Sequence, residues 1–194
     1  MIKPEPVIVH SHVVELGSNR LVSAFDSESI PEFGSVTPRV HSKLLDLPSR
    51  GQELIDFSKA ISMPLLPWQE WLAINSLRYK PDGRHAHPVV AAVLSRQNGK
   101  TTVMKNLILM GLFEWEVGLQ IGTAHRLTTS LETFRDLVST IESHDFLAKQ
   151  VKRIRWAHGS EEIECLNGNR YMVKAGASAA RGISKPERVF IDEC

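Results

Sequence analysis

Eight consecutive residues, Ser95-Arg96-Gln97-Asn98-Gly99-Lys100-Thr101-Thr102, combine the residue types that hold a phosphate group. A loop running from a strand into a helix offers backbone N–H groups and the positive end of the helix dipole to phosphate oxygens. A glycine such as Gly99 lets the backbone approach them closely. Lys100 then neutralises charge on the β- and γ-phosphates of a nucleoside triphosphate. The hydroxyl of Thr101, in the first helical turn, can ligate a Mg²⁺ ion bridging the same two phosphates, and Thr102 is the weaker candidate. The full pattern of such loops, G-x-x-x-x-G-K-[ST], is broken at its first position, where Leu94 stands. Taken alone, Gly-Lys-Thr also reads as an ordinary exposed helix start.

A second group of residues bears on that choice. Val189-Phe190-Ile191 is a hydrophobic run that ends in two carboxylates, Asp192 and Glu193, downstream of the loop. Open α/β sheets bind their ligands at the carboxyl ends of parallel strands. There Asp192 can hold Mg²⁺ through the ion's water ligands, while Glu193 orients and deprotonates an attacking water. Loop and acid pair together specify hydrolysis of a nucleoside triphosphate.

The elements that must position these groups follow from periodicity. Residues 89–94 form a continuous apolar run, which suits a strand covered on both faces in a parallel sheet. After the loop, Val103, Met104, Leu107, Ile108, Gly111, Leu112 and Trp115 recur at helical spacing. Residues 117–123 read as a strand and 128–144 as a helix. Residues 154–157, 162–166 and 170–174 read as antiparallel strands, the last two joined by a hairpin at Asn167-Gly168. Residues 189–191 make a short buried strand. Upstream, a helix begins at Pro67 and ends before the turn at Pro81-Asp82-Gly83. Residues 1–52 are read as an arm, with a possible short strand at 10–16, and residues 53–194 as the domain.

Composition sets wide bounds. A chain of 194 residues with 42% hydrophobic and 23% charged residues can bury one substantial core and is not globally disordered. Cys165 and Cys194 are too few for a disulfide framework and are read as thiols of a reducing compartment. No apolar stretch is long enough to span a membrane, so the cytoplasm is the expected location. The net charge of +1 announces no nucleic-acid partner. The one dense basic cluster, Lys149, Lys152, Arg153 and Arg155, reads as a solvated face. His10/His12 and His85/His87 lack companion ligands at metal-binding spacing and read as surface residues.

The loop, the upstream Leu66-Pro67-Trp68-Gln69 and the run Phe190-Ile191-Asp192-Glu193 together resemble the ATPase domain of tailed-phage large terminase subunits. That family commonly lacks the first loop glycine and carries an arginine inside the loop, as Leu94 and Arg96 do here. The resemblance covers roughly residues 53–194. It implies a P-loop NTPase fold of the ASCE type: a mostly parallel α/β sheet flanked by helices, with the β-hairpin as an excursion and the N-terminal segment as an irregular arm. It implies ATP and Mg²⁺ as ligands, double-stranded DNA as the translocated partner, and a homo-oligomeric ring working with a portal protein and a small terminase subunit in the host cytoplasm.

Carried over by position, Gln69 resembles the glutamine that reads the adenine edge, its alternative being a helix-surface amide. Arg96 lies beside the γ-phosphate in the family, where a planar fork of donors suits phosphate oxygens. Arg181 resembles the arginine presented to a neighbouring subunit's ATP, a contribution worth about 10³- to 10⁵-fold in rate in other phosphate-cleaving systems. Its alternative is an ion pair within its own subunit. Thr123-Ala124-His125 is either a structural loop or a DNA-facing one. The family continues past the acidic strand with closing strands and a nuclease domain, so the chain is expected to be truncated and to lack DNA cleavage. A helicase-like ATPase and an inert nucleotide-binding fragment are the rival readings.

Overall fold

The computed structural model describes residues 7–10, 35–95, 97–124, 127–156, 161–174 and 185–192, with the backbone alone at 7–10 and 127. The chain divides into two compact units, Met1–Lys100 and Thr101–Cys194.

In the first unit, β1 (Val7–His10) pairs in parallel with β2 (Val90–Val93), and two helices, α1 (Gly51–Ala60) and α2 (Pro67–Ser76), lie between them in the chain. Helix α1, which periodicity did not single out, has Glu53 in its first turn and Lys59 in its last, each matched to the helix dipole. Leu54, Phe57, Ser58 and Ile61 form its buried stripe. Pro67 opens α2, where its missing N–H costs nothing. The two helices meet very closely at Gly51, where a Cβ would lie 2.5 Å from the Ile74 backbone. Ser49 Oγ donates to Ile74 O at 2.6 Å and Arg50 N to Leu77 O at 3.1 Å, so the crossing is also hydrogen-bonded.

The expectation that residues 89–94 form a strand covered on both faces needs correction. Val90 and Val93 are 42% and 53% exposed, and the strand is only the four residues of β2. Among the described residues its one hydrogen-bonded neighbour is β1, in a two-stranded sheet. A short apolar run reports affinity for a covered face without saying how much cover it receives.

Burial, and then the positive charge of Arg78, hold the His87 imidazole below its ordinary range. Since the folded state resists protonation that the unfolded chain accepts, stability falls as pH drops below the unfolded value near 6.5. The urea midpoint should therefore be lower at pH 5 than at pH 7.5. His87→Gln should shrink that difference.

Helix α3 (Lys100–Phe113) starts at the last residue of the first unit, and the second unit carries the rest of it and a mixed five-stranded sheet in the order β4-β5-β6-β3-β7. Its strands are β3 (Leu119–Ala124), β4 (Val151–Arg155), β5 (Glu162–Cys165), β6 (Arg170–Val173) and β7 (Arg188–Asp192), with α4 (Leu127–Glu142) and α5 (Asp145–Ala148) between β3 and β4. β6, β3 and β7 are parallel, while β4, β5 and β6 are antiparallel. The sheet is thus α/β and mixed, with the hairpin strands making up one half rather than an excursion from it. Strand β7, expected to be buried, exposes Val189 (48%) and Ile191 (61%), because β7 ends the strand order and has β3 alone as neighbour among the described residues.

The hairpin turn at Asn167-Gly168 is present, with Gly168 at φ +88°, a left-handed conformation that glycine adopts without strain. It also performs a task that pattern alone did not show. Asn169 Nδ2 donates to Leu112 O at 3.0 Å, Trp115 O at 3.2 Å and Gly111 O at 3.3 Å, and Asn167 Nδ2 donates to Leu112 O at 3.0 Å. The last carbonyls of a helix have no partner within it, and these two amides supply one. Asn169→Ala should cost about 2 kcal/mol in urea unfolding, since it removes the buried donor that the Gly111, Leu112 and Trp115 carbonyls share. Asn169→Asp should fare no better, because a carboxylate cannot donate.

Candidate nucleotide-binding site

Strand β2 ends at Val93 and α3 starts at Lys100, so the loop predicted to cradle phosphate sits between a strand and a helix. Its backbone turns through left-handed residues at Gln97 (φ +63°) and Gly99 (φ +79°). A non-glycine residue in that region is uncommon, and alternation of left- and right-handed residues aims successive N–H groups into one concavity. Asn98 Nδ2 donates to Ser95 O at 3.2 Å and also to Ser95 Oγ, which closes the loop on itself. Ser95 and Gln97 are exposed, and Asn98, Gly99 and Lys100 are half-buried. Arg96 lies outside the described residues.

Gln69 is 1% exposed, and its amide is committed to backbone. Its Oε1 accepts from Leu66 N at 2.7 Å, which caps α2, and its Nε2 donates to Gly99 O at 2.9 Å. The side chain therefore ties the start of α2 to the loop. One amide N–H is left beyond these two bonds. This tether was not visible in the sequence, although the paired Gln69 and Gly99 motifs were.

In the second unit, Thr101 and Thr102 occupy the first turn of α3, both half-buried. Asp192 closes β7 and pairs with Ala124, as Ile191 does with Thr123, while Gly122 pairs with Val173. The carboxyl ends of β6, β3 and β7 accordingly lie side by side, the edge at which parallel sheets place ligand groups. The chain leaves that edge into residues 175–184, 125–126 and 193–194. Arg181, His125 and Glu193 fall in these stretches, outside the described residues. Tyr171, on β6, reaches over Gly122 on the same edge and is held above the ordinary phenol range by burial and by the Asp192 charge.

Other candidates resolve into structural roles. Lys152 and Arg153 pair with Glu164 at 2.7 and 2.8 Å, and Arg155 and Arg170 with Glu162 at 3.3 Å. These cross-strand pairs neutralise much of the basic cluster. Burial and the neighbouring Glu164 push the Cys165 thiol up to about 12, so it is a packing thiol and not a nucleophile. Among the described residues no group of three His, Cys, Asp or Glu side chains could hold a metal ion. No helix among them is long and apolar enough to cross a membrane.

The fold defines a class: an α/β domain with a mixed five-stranded sheet flanked by helices, of the kind found in phage large terminases. The particular likeness is to the crystal structure of the HK97 bacteriophage large terminase, with a TM-score of 0.58 and 22% sequence identity over 75% of this chain. The chain spans 31% of that protein's length. No protein-family profile matches the chain, and no curated protein does.

Proposed function

We propose that this chain is the ATP-hydrolysing motor portion of a phage large terminase, acting to drive double-stranded DNA into a preformed viral shell. The observation that carries the reading is the loop before α3. Its left-handed turns at Gln97 and Gly99 lead directly into Lys100-Thr101 at the start of a fourteen-residue helix. Its support comes from a fold similar to the HK97 bacteriophage large terminase.

The residues fit such a ligand by the chemistry of their donors. Loop N–H groups and the first turn of α3 offer hydrogen bonds to phosphate oxygens. The Lys100 ammonium adds a full positive charge, and Gln69 holds the Gly99 carbonyl so that the turn keeps its shape. Thr101 and Asp192 would hold Mg²⁺, the first by its hydroxyl and the second through water ligands. The chemistry that an ion held by these two residues would supply is positive charge against the negative charge that develops on the phosphates. Glu193 would orient and deprotonate the attacking water. Arg96 acts on the γ-phosphate and Arg181 on the ATP of a neighbouring copy in a ring. A translocating motor must accept any sequence, so its DNA contacts are to backbone phosphates. The ring, the portal protein and the small subunit are parts of the same proposal.

The test is phosphate release by the purified chain with Mg²⁺ and ATP, with and without double-stranded DNA. DNA-stimulated turnover supports the motor reading. A rate at background under both conditions supports the inert nucleotide-binding fragment instead.

A further inference from the structure

Tyr171 is among the largest side chains that the fold buries completely, at 1% exposure. Its backbone pairs with Gln120 on β3, two residues before Gly122. Parallel partners share a face, so Tyr171, Gly122, Ala124 and Asp192 point to one side of the sheet. The ring leans across β3. A Cβ at residue 122 would lie 1.9 Å from the Tyr171 hydroxyl oxygen and 2.7 Å from Cζ. Only glycine at 122 permits that path, and the path carries the hydroxyl from β6 toward the strand on the far side of β3.

We propose that Tyr171 is a positioning residue for Asp192: its hydroxyl, laid over Gly122, orients the Asp192 carboxylate through a bridging water at the carboxyl end of β7. This role rests on the reading of Asp192 as a group that holds Mg²⁺. One further fact supports it. Phe134, stacked on the ring at 6.5 Å and 17°, leaves the phenol little freedom to swing away. Polar groups too far apart for a direct bond are commonly joined by one ordered water. Hydrogen-bonded partners behind a metal-holding group set its orientation, and losing one typically weakens metal affinity about 10- to 100-fold. A tyrosine that merely filled space would be replaced by phenylalanine at no such loss.

The experiment measures Mn²⁺ binding by electron paramagnetic resonance, in the presence of ADP, with the full chain. Tyr171→Phe should raise the Mn²⁺ dissociation constant about 10-fold. Asp192→Ala should raise it further. Ile141→Val, a buried change in α4, should lower the melting temperature and leave Mn²⁺ affinity alone. A second measurement requires no change at Tyr171. The chain has two tyrosines, Tyr79 and Tyr171. In 3-fluorotyrosine-labelled protein, Mn²⁺ with ADP should broaden the Tyr171 fluorine resonance, and Asp192→Ala should remove the broadening. If Asp192→Ala weakens Mn²⁺ while Tyr171→Phe does not, or if the Tyr171 resonance stays sharp, the positioning role is overturned and the site reading survives. If the unsubstituted chain captures no Mn²⁺ with ADP, both are overturned.

Discussion

Lys100→Ala is expected to lower ATP hydrolysis about 10³-fold, the upper range for deleting a single preorganised group that meets transition-state charge. The argument is local. Lys100 follows Gly99 at the start of α3, beside a turn whose carbonyl is held by Gln69. On the proposed function, an ammonium carried there meets phosphate charge as it develops, and no other cation described in that loop can replace it. Alanine is a better helix former than lysine, so the start of α3 should be undisturbed and the melting temperature nearly unchanged. Loop N–H groups remain, so nucleotide binding should weaken less than turnover. Lys100→Arg should not restore the rate, since a planar fork and a compact point charge do not occupy the same space. Phosphate release from the two variants and the parent, with circular dichroism as the folding control, measures this. Equal rates in parent and Lys100→Ala would remove the loop from the chemistry.

Gly51→Val is expected to destabilise the first unit by about 3 kcal/mol, more than a hundredfold in the folded-to-unfolded ratio. The Cβ of any larger residue would press on Ile74 Cα and N at 2.5 Å, and on Ala73 C at 2.7 Å. These are backbone atoms of α2, which cannot rotate out of the way as a side-chain tip can. The helices would have to part, stretching the bonds from Ser49 Oγ to Ile74 O and from Arg50 N to Leu77 O. Helix α2 also carries Gln69, so its displacement would loosen the tether on Gly99. Urea unfolding should show the lost stability, and hydrogen exchange at the Gly99 and Lys100 amides should quicken with it. An unchanged urea midpoint would mean that the crossing yields more easily than its geometry implies.

The tether changes what Gln69 contributes. The resemblance gave it the adenine edge, a task that draws on a paired donor and acceptor. In this structure the acceptor caps α2 and one donor supports the loop, so an adenine contact would have to use the remaining N–H. Packing of α2 against the loop therefore sets the conformation of Gly99, and on the proposed function it would bear on phosphate binding through that residue. The same economy appears in the second unit, where hairpin asparagines double as the cap of α3.

What the sequence determined alone was local. A glycine-lysine-threonine step after an apolar run could only begin a helix, and α3 begins at Lys100. The helical stripe from Val103 to Trp115, the Asn167-Gly168 turn and the strand that ends at Asp192 rest on chirality, periodicity and turn chemistry within a few residues. Tertiary structure decided whatever depends on distant neighbours. It paired β2 with β1, set the order β4-β5-β6-β3-β7, and left Val189 and Ile191 exposed on an end strand that periodicity alone marks as buried. It spent the Gln69 amide on Gly99 and laid Tyr171 over Gly122. An alternating or apolar pattern states that a strand has a face to cover. Which strand, helix or side chain covers it is settled by packing among residues far apart in the chain, where every buried polar group must also find its partner.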